Sequence, residues 1–268
     1  MSHHHHGDRW PPPHEGNANE QAQRSPLLIV VPAYNEEGSV AAVVRRVYES
    51  APPCDVLVID DGSSDETAVR AREAGAWVVS MPFNLGIGGA VQTGFLFARD
   101  HGYQLVAQID GDGQHDPAIL MRLLSKLSSD ESLDMVYGSR FLEAERGYRV
   151  PLSRRVGIKL FAFSLTRILG QRITDPTSGF RLCNRRAIEL FAAEYPQDYP
   201  EVEALLMLRS GGFRFAEVAV QMSNRAGGRS SITRLRSGYY MVKVSLALLA
   251  GLLRERVKLT GPTLEPQV

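Results

Sequence analysis

Apolar segments typical of strands alternate with amphipathic segments typical of helices through the first half of this chain, and this alternation limits the fold more than any other feature. Strands that alternate with helices form a mostly parallel sheet covered by helices on both faces, so we predict an α/β fold. The predicted strands are 27–31, 55–60, 76–80, 104–109 and 133–137, and the predicted helices are 39–50, 65–74, 88–101 and 117–127.

Two of the predicted helices begin with capping signals. The run Ser63-Ser64-Asp65-Glu66 fits a capping box, in which a hydroxyl and a glutamate satisfy the first backbone N–H groups of a helix. Asp116 followed by Pro117 places a capping residue before a proline at the first helical position. We therefore expect side-chain caps at both starts.

Every chemically reactive segment of the first half follows directly after a predicted strand. These segments are Pro32-Ala33-Tyr34-Asn35-Glu36, Asp60 to Asp65, Asn84 to Gly89 and Asp110 to Gln114. The carboxyl ends of parallel strands meet at one edge of a sheet, where ligands of such sheets bind. Carboxylates accept hydrogen bonds from a pyrimidine imide and from ribose hydroxyls, and glycines allow close backbone approach. A nucleotide fits this set of groups.

The pair Asp110 and Asp112 is the most informative of these segments. Two carboxylates two residues apart at the end of a strand offer the hard oxygen ligands that Mg²⁺ or Mn²⁺ prefers. A diphosphate would complete the coordination of such a cation. Short motifs also recur by chance, and a polar turn with two solvated acids is the alternative that this motif alone leaves open.

Charge and cysteine content exclude several classes of protein. The 268 residues carry 30 basic and 30 acidic side chains, so whole-chain charge does not indicate a nucleic-acid partner. Two cysteines are too few for a disulfide framework, and the N-terminus lacks the apolar core of a signal peptide, which favours a reducing cytoplasmic location. Residues 1–25, with a run of four histidines, have little to bury and are expected to be an unstructured tail.

The ordered motifs, together with Thr177-Ser178-Gly179-Phe180-Arg181, resemble glycosyltransferase family 2 over roughly 27–232. Within that family the chain is most similar to the dolichyl-phosphate mannose synthase group and the related bacterial polyprenyl-phosphate glycosyltransferases. The resemblance implies a GT-A fold, inverting transfer from a GDP- or UDP-hexose, and metal binding by Asp110, Asp112 and Gln114. It implies a donor nucleotide site formed by Pro32, Ala33, Tyr34, Glu36, Asp61, Asn84, Gly86, Asp110 and Gly111.

The resemblance also implies where the acceptor binds. We expect residues 26–138 to hold the donor, residues 139–232 to hold the acceptor, and residues 233–268 to form a basic amphipathic extension. Guanidinium groups match phosphate oxygens, so a polyprenyl phosphate would be held by arginines. The second half offers Arg140, Arg154, Arg155, Arg181 and Arg225, and by resemblance Arg140 and one of Arg154 or Arg155 are the best candidates.

A different acceptor would need a different catalytic group. A phosphate is already ionised near neutral pH, whereas a saccharide hydroxyl needs a general base within hydrogen-bond reach. Family members that glycosylate hydroxyls keep an acidic base where this chain has Glu201 and Glu203. The candidate catalytic residues are thus Asp112, Arg140, Glu201 and Glu203. The alternatives to polyprenyl phosphate transfer are a saccharide acceptor and, less favoured, a non-catalytic protein that binds nucleotide sugars.

Residues 238–253 form the most apolar stretch of the chain. A transmembrane helix needs about 20 apolar residues, and this run is shorter and contains Lys243. Basic residues on both sides would suit anionic lipid headgroups, which predicts a peripheral enzyme on the cytoplasmic face of a membrane. Packing against the domain, a membrane protein or a second copy of the chain is the open alternative.

Overall fold

The computed structural model describes residues 25–142, 152–197 and 199–221, the side chains of 152–157 and 160 excepted. The described residues belong to two compact units, of which the first contains 25–142 and 174–221 and the second contains 152–173. The predicted N-terminal tail apart from Ser25, the candidate Arg225 and the predicted extension 233–268 lie outside the described residues.

Strands and helices alternate along the chain as predicted. The strands are β1 (Leu27–Ala33), β2 (Asp55–Asp60), β3 (Trp77–Ser80), β4 (Leu105–Gln108), β5 (Met135–Ser139), β6 (Arg181–Asn184) and β7 (Phe215–Ala219). The α-helices are α1 (Val40–Ser50), α2 (Thr67–Glu73), α3 (Gly86–Asp100), α4 (Leu120–Ser128), α5 (Leu152–Leu169), α6 (Arg185–Ala193) and α7 (Pro200–Ser210), and a short 3₁₀ helix, Pro117–Ile119, precedes α4.

The strands form one seven-stranded sheet in the order β3-β2-β1-β4-β6-β5-β7. β1 pairs in parallel with β2 and β4, β2 with β3, and β5 with β7. Among the described strands, only β6 is antiparallel to its neighbours, and it lies between β4 and β5. The prediction of an α/β fold with a mostly parallel sheet is confirmed, and β6 is a strand that the sequence reading did not assign.

The central strands are buried on both faces. Every residue of β1 is buried, and so is every residue of β2 after Asp55. On one face Val40, Val43 and Val47 of α1 join the apolar core. On the other face Phe95 of α3 packs against Phe191 of α6 at a ring distance of 5.1 Å. Helices therefore cover both faces, which fixes the loops at the carboxyl ends of the strands at an exposed edge.

The two predicted helix caps have different outcomes. Asp116 caps as predicted, because its side chain accepts from the Ala118 N–H in front of α4. The capping box at 63–66 is wrong: α2 begins at Thr67, and its N-cap residue Glu66 makes no side-chain cap bond. Asp65 Oδ1 accepts from the Thr67 N–H at 3.0 Å instead.

The described part of the second unit is α5 and the turn that follows it. Thr166 Oγ1 accepts from the Ile173 N–H at 2.9 Å, which ties the turn back to the last part of the helix. Among the described residues, no helix is both long enough and apolar enough to cross a membrane.

Candidate active site

The loops that follow β1 and β2 are joined by hydrogen bonds between side chains and backbone. The Asn35 N–H donates to Ser63 Oγ at 2.9 Å, and Asn35 Oδ1 accepts from the Ser64 N–H at 2.9 Å. Asn35 has a left-handed φ of 54°, which asparagine tolerates better than most residues. The Glu36 N–H donates to Thr67 Oγ1 at 2.8 Å. Tyr34, predicted to contact the nucleoside, remains 48% exposed beside these bonds.

Asp61 connects the loop after β2 to the start of α3. Its two carboxylate oxygens accept from the backbone N–H groups of Leu85 and Gly86 at 2.7 and 2.9 Å. The residue is only 4% exposed, and burial raises the pKa of its carboxyl while these two hydrogen bonds oppose the rise. Asp61 therefore holds in place the loop that carries Asn84 and Gly86, two other predicted donor residues.

The turn Asp110–Asp112, hereafter the acidic turn, is hydrogen-bonded to the loop after β1. The Gly111 N–H donates to the Pro32 carbonyl oxygen at 3.3 Å. Ser39 Oγ lies 2.8 Å from the Gly111 carbonyl oxygen and 2.7 Å from Glu36 Oε2, so the hydroxyl bridges the two loops. The structure thus brings together the predicted donor residues that follow β1 and β4. Ser39 is a bridging residue that the sequence reading did not single out.

The acidic turn has internal supports. Asp112 Oδ1 accepts from the Gln114 N–H at 3.0 Å, and the Asp110 N–H donates to His115 Nδ1 at 3.2 Å. His115 is 3% exposed and stacks on Phe180 at a ring distance of 5.1 Å. The Asp110 side chain keeps 36% of its surface exposed. The turn is therefore fixed from behind while the Asp110 carboxylate still faces solvent.

The acidic turn suits a hard cation that is shared with a ligand. Carboxylate oxygens are preferred by Mg²⁺ and Mn²⁺. Over the described ranges, no cluster of three or more histidine, cysteine, aspartate or glutamate side chains could hold a metal by itself. Mg²⁺ is commonly bound through one or two carboxylates together with substrate phosphates. Asp110 and Asp112 fit that arrangement, with Gln114 adjacent.

Arg140 lies in a buried ion pair. Its Nε and Nη2 donate to the two oxygens of Asp175 at 2.6 and 2.7 Å, and Nη2 also lies 2.6 Å from Thr177 Oγ1. The side chains are 9% and 0% exposed. A bidentate pair of this kind sets the plane of the guanidinium group. The candidate phosphate-binding residue is therefore held in one orientation by Asp175.

A second carboxylate, that of the half-buried Glu217, supports Asp175 in turn. Glu217 Oε1 accepts from the backbone N–H groups of Thr174 and Asp175 at 2.8 and 3.0 Å, and from the Tyr137 hydroxyl at 2.9 Å. Burial raises the pKa of the Tyr137 hydroxyl, and the charge of Glu217 adds to the rise. β5, β7 and the turn before β6 thus share one polar network, none of whose acids the sequence reading singled out.

Glu201 lies in the first turn of α7 and is partly exposed. Burial raises the pKa of its carboxyl, the charge of Arg181 opposes that rise, and the charge of Asp110 adds to it. The structure therefore places this candidate base within electrostatic range of the acidic turn. Glu203 lies two positions further along α7 and is also partly exposed. The backbone of Arg154 and Arg155 belongs to α5, and their side chains are outside those described.

The sheet and the acidic turn at the end of β4 define a glycosyltransferase of the GT-A class. A family model described as glycosyl transferase family 2 matches residues 28–191, and the chain belongs to that family. The undecaprenyl-phosphate mannosyltransferase of Micrococcus luteus is 31% identical over 227 residues, 82% of this chain and 92% of that protein. The polyprenol monophosphomannose synthase of Mycolicibacterium smegmatis is 29% identical, covering 81% of this chain and 85% of that protein.

A solved structure shows the same fold. The glucosyl-3-phosphoglycerate synthase of Mycobacterium tuberculosis, crystallised with Mn²⁺, UDP and phosphoglyceric acid, superposes with a TM-score of 0.64 at 25% identity. The match covers 87% of this chain and 80% of that one. The prediction of a GT-A fold in glycosyltransferase family 2 is confirmed by these comparisons.

Proposed function

We propose that this protein transfers a hexose from a nucleotide sugar to a polyprenyl phosphate, with inversion at the anomeric carbon and with a divalent cation at Asp110 and Asp112. The observation that carries the proposal is the attachment of the acidic turn to the loop after β1, through Gly111 and Ser39. This attachment joins candidate cation ligands to candidate nucleoside-binding residues in one site.

The proposed cation explains the acidic turn. Breaking a sugar–diphosphate bond leaves a nucleoside diphosphate whose growing charge needs stabilisation, and a bound Mg²⁺ or Mn²⁺ supplies this as a Lewis acid. Asp110 and Asp112 would hold the ion, with Gln114 as the third candidate. Mn²⁺ in the crystallised mycobacterial synthase supports a divalent ion without distinguishing Mn²⁺ from Mg²⁺ here.

The names of the two relatives support a polyprenyl phosphate acceptor. Both use a lipid phosphate of this type and mannose, according to those names. An ionised phosphate needs cations rather than a general base. Arg140, whose plane is fixed by Asp175, is a proposed contact of the acceptor phosphate, and Arg154, Arg155 and Arg225 are the further candidates. The enzyme would then work at the cytoplasmic face of a membrane, where segment 238–253 could contact lipid, a membrane protein or a second copy.

A second candidate function is transfer to a saccharide hydroxyl. The observation that favours it is Glu201, a carboxyl with a raised pKa within electrostatic range of Asp110. A general base works best when its pKa approaches the operating pH. Glu201, with Glu203 as the alternative, would then remove the proton of the attacking hydroxyl.

One assay separates these functions. The full chain is incubated with Mn²⁺ or Mg²⁺, radiolabelled GDP-mannose or UDP-glucose, and either a short-chain polyprenyl phosphate or a soluble glycan. We expect label in the organic phase with the lipid phosphate. Label in the glycan alone would support the second function. Nucleotide binding without transfer or donor hydrolysis would indicate a non-catalytic binding protein, and flotation with anionic vesicles tests the membrane contact independently.

A further inference from the structure

Gly179 packs directly against the Asp110 carboxylate. A Cβ atom placed on Gly179 would lie 3.1 Å from Asp110 Oδ1, 3.2 Å from Oδ2 and 3.1 Å from Gln108 Nε2. Such separations are shorter than ordinary van der Waals contact. Gly179 is not among the glycines with a left-handed φ. The backbone here would accept other residues, so a side chain at this position would be crowded by the Asp110 carboxylate and the Gln108 amide.

The turn that carries Gly179 is locked on both sides. Arg181 Nη2 donates to the Ser178 carbonyl oxygen at 3.1 Å, and the Phe180 carbonyl oxygen accepts from the Gly138 N–H at 2.8 Å. Arg181 itself is 2% exposed, and its Nη1 donates to the Tyr195 hydroxyl at 3.2 Å. Gly179 therefore cannot move away from Asp110 without breaking these bonds.

Gln108 is the second group that constrains the carboxylate. Its Nε2 donates to Asp110 Oδ1 at 3.3 Å, and the residue is 2% exposed. Gln108 lies opposite Arg181 in the β4–β6 register. Among the described residues, the buried side-chain atoms without a hydrogen-bond partner are Gln108 Oε1 and Arg181 Nε. Unpaired buried polar atoms lower stability, and a fold that keeps two of them together behind a candidate cation ligand indicates a role beyond packing.

We infer that Gly179 and Gln108 are positioning residues that fix the Asp110 carboxylate for the cation and the nucleoside diphosphate. This inference rests on the proposed function. Gly179, which has no side chain, leaves free the space that the carboxylate occupies, and Gln108 holds Oδ1 through its amide. Residues that orient a metal ligand commonly change metal affinity about 10- to 100-fold when they are replaced.

A methyl group at position 179 should alter the site more than the fold. The Asp110 side chain is 36% exposed, so it can turn towards solvent when Gly179→Ala pushes on it. A purely structural role for Gly179 would instead give a loss of thermal stability with unchanged ion affinity. The two roles are therefore separated by measuring ion binding and stability on the same variants.

The experiment measures Mn²⁺ binding to the full chain with saturating UDP or GDP, by the electron paramagnetic resonance signal of free Mn²⁺, together with Tm. For Gly179→Ala we expect Mn²⁺ affinity about tenfold below that of the wild type, with Tm close to the wild-type value. The matched control is Gly38→Ala, because a Cβ atom at Gly38 would meet nothing within 4 Å. The control should bind Mn²⁺ as the wild type does.

A second variant covers the outcome in which Gly179→Ala loses its fold. Gln108→Met removes the amide donor and keeps a side chain of the same length, and we expect Mn²⁺ affinity to fall several-fold. Wild-type affinity in either variant that remains folded would overturn the inference. If the wild-type chain itself binds no Mn²⁺ with either nucleotide, the proposed cation site is wrong and the inference fails with it.

Discussion

Asp61, a candidate donor-binding residue, and Arg140, a candidate acceptor-binding residue, both have little exposed side-chain surface, but the protein satisfies their charges in opposite ways. Asp61 accepts from two backbone N–H groups at the start of α3. Arg140 is matched by a carboxylate that is itself fully buried. Removing Asp61 therefore exposes backbone groups that water can reach, whereas removing Arg140 leaves a buried charge without its partner.

The surroundings of Asp61 and of Arg140 therefore differ in how they are held in place. The loops after β1, β2 and β4 are joined by hydrogen bonds that involve backbone groups, and the Asp110 side chain keeps 36% of its surface exposed. The surroundings of Arg140 depend instead on a network of side chains from β5, β7 and the turn before β6, in which the guanidinium charge is already paired with Asp175. The following substitutions test whether that contrast is real.

The largest effect should come from Arg140→Ala. Breaking a buried ion pair at one partner typically costs about 3–5 kcal/mol, because the remaining charge is uncompensated. We expect a loss of this size in the free energy of unfolding measured with urea. The matched control is Arg70→Ala, which removes the exposed pairs with Glu66 and Glu73 and should cost less than about 1 kcal/mol. Unchanged stability with a raised KM for polyprenyl phosphate would show that Arg140 serves the acceptor alone.

The next largest effect should be a slower rate of sugar transfer in the Asp112→Asn variant. Loss of one ligand charge should lower turnover about a thousandfold, which corresponds to about 4 kcal/mol of transition-state stabilisation. The fold should be retained, because Asn can still accept from the Gln114 N–H. Steady-state kinetics with varied Mn²⁺ and a circular dichroism spectrum check both points. Normal turnover of the variant in excess chelator would contradict the cation assignment.

A smaller effect should follow from Asp61→Ala. The carboxylate accepts two hydrogen bonds, and a charge-assisted bond is worth roughly 1.5–3 kcal/mol, so nucleotide affinity should fall about ten- to a hundredfold as the loop before α3 loosens. Calorimetry with UDP or GDP and Mn²⁺ measures this nucleotide affinity. Asp130→Ala, which removes an exposed acid that accepts from the Ser132 N–H, is the control and should bind normally. Wild-type affinity in Asp61→Ala would remove this residue from the donor site.

The smallest effect is expected for Glu201→Gln if the acceptor is a phosphate. The raised pKa keeps Glu201 protonated to a higher pH than an ordinary glutamate, so any step that uses it as a base is lost as pH falls through that raised value. With polyprenyl phosphate, wild type and variant should share one pH profile. If kcat of the variant instead falls about 10²- to 10⁴-fold, and its pH profile no longer declines at low pH, the acceptor is a hydroxyl.

The strands and loops of the first half could be predicted from the sequence because the information that specifies them is local. Each strand of the first half is a short apolar run, and the reactive residues follow it directly, so their meeting at one edge needed no knowledge of distant contacts. The helix boundaries differ from the predicted ones by a few residues; α3, for example, begins at Gly86 rather than at 88. The error at 63–66 has a physical cause, since Ser63 and Ser64 bond to Asn35 across the site instead of to their own helix.

The contacts of β6 and Arg140 could not be predicted in the same way. Residues Arg181–Asn184 form a strand of only four residues, and their pairing with β4 and β5 joins distant parts of the chain. The Arg140–Asp175 pair spans 35 positions and the Tyr137–Glu217 bond spans 80. A single sequence offers no period or motif that indicates such partners. Gly179 was part of a recognised motif, but its contact with Asp110 required coordinates.

The position of β6 between β4 and β5 affects folding during synthesis, because β6 comes after both strands in the sequence. Ribosomes release the N-terminal part first, so the donor loops emerge long before the strand that completes the sheet beside them. Until β6 arrives, one edge of β4 presents unpaired N–H and C=O groups, which are a template for association with other chains. We therefore expect fragments that stop before Arg181 to aggregate during expression.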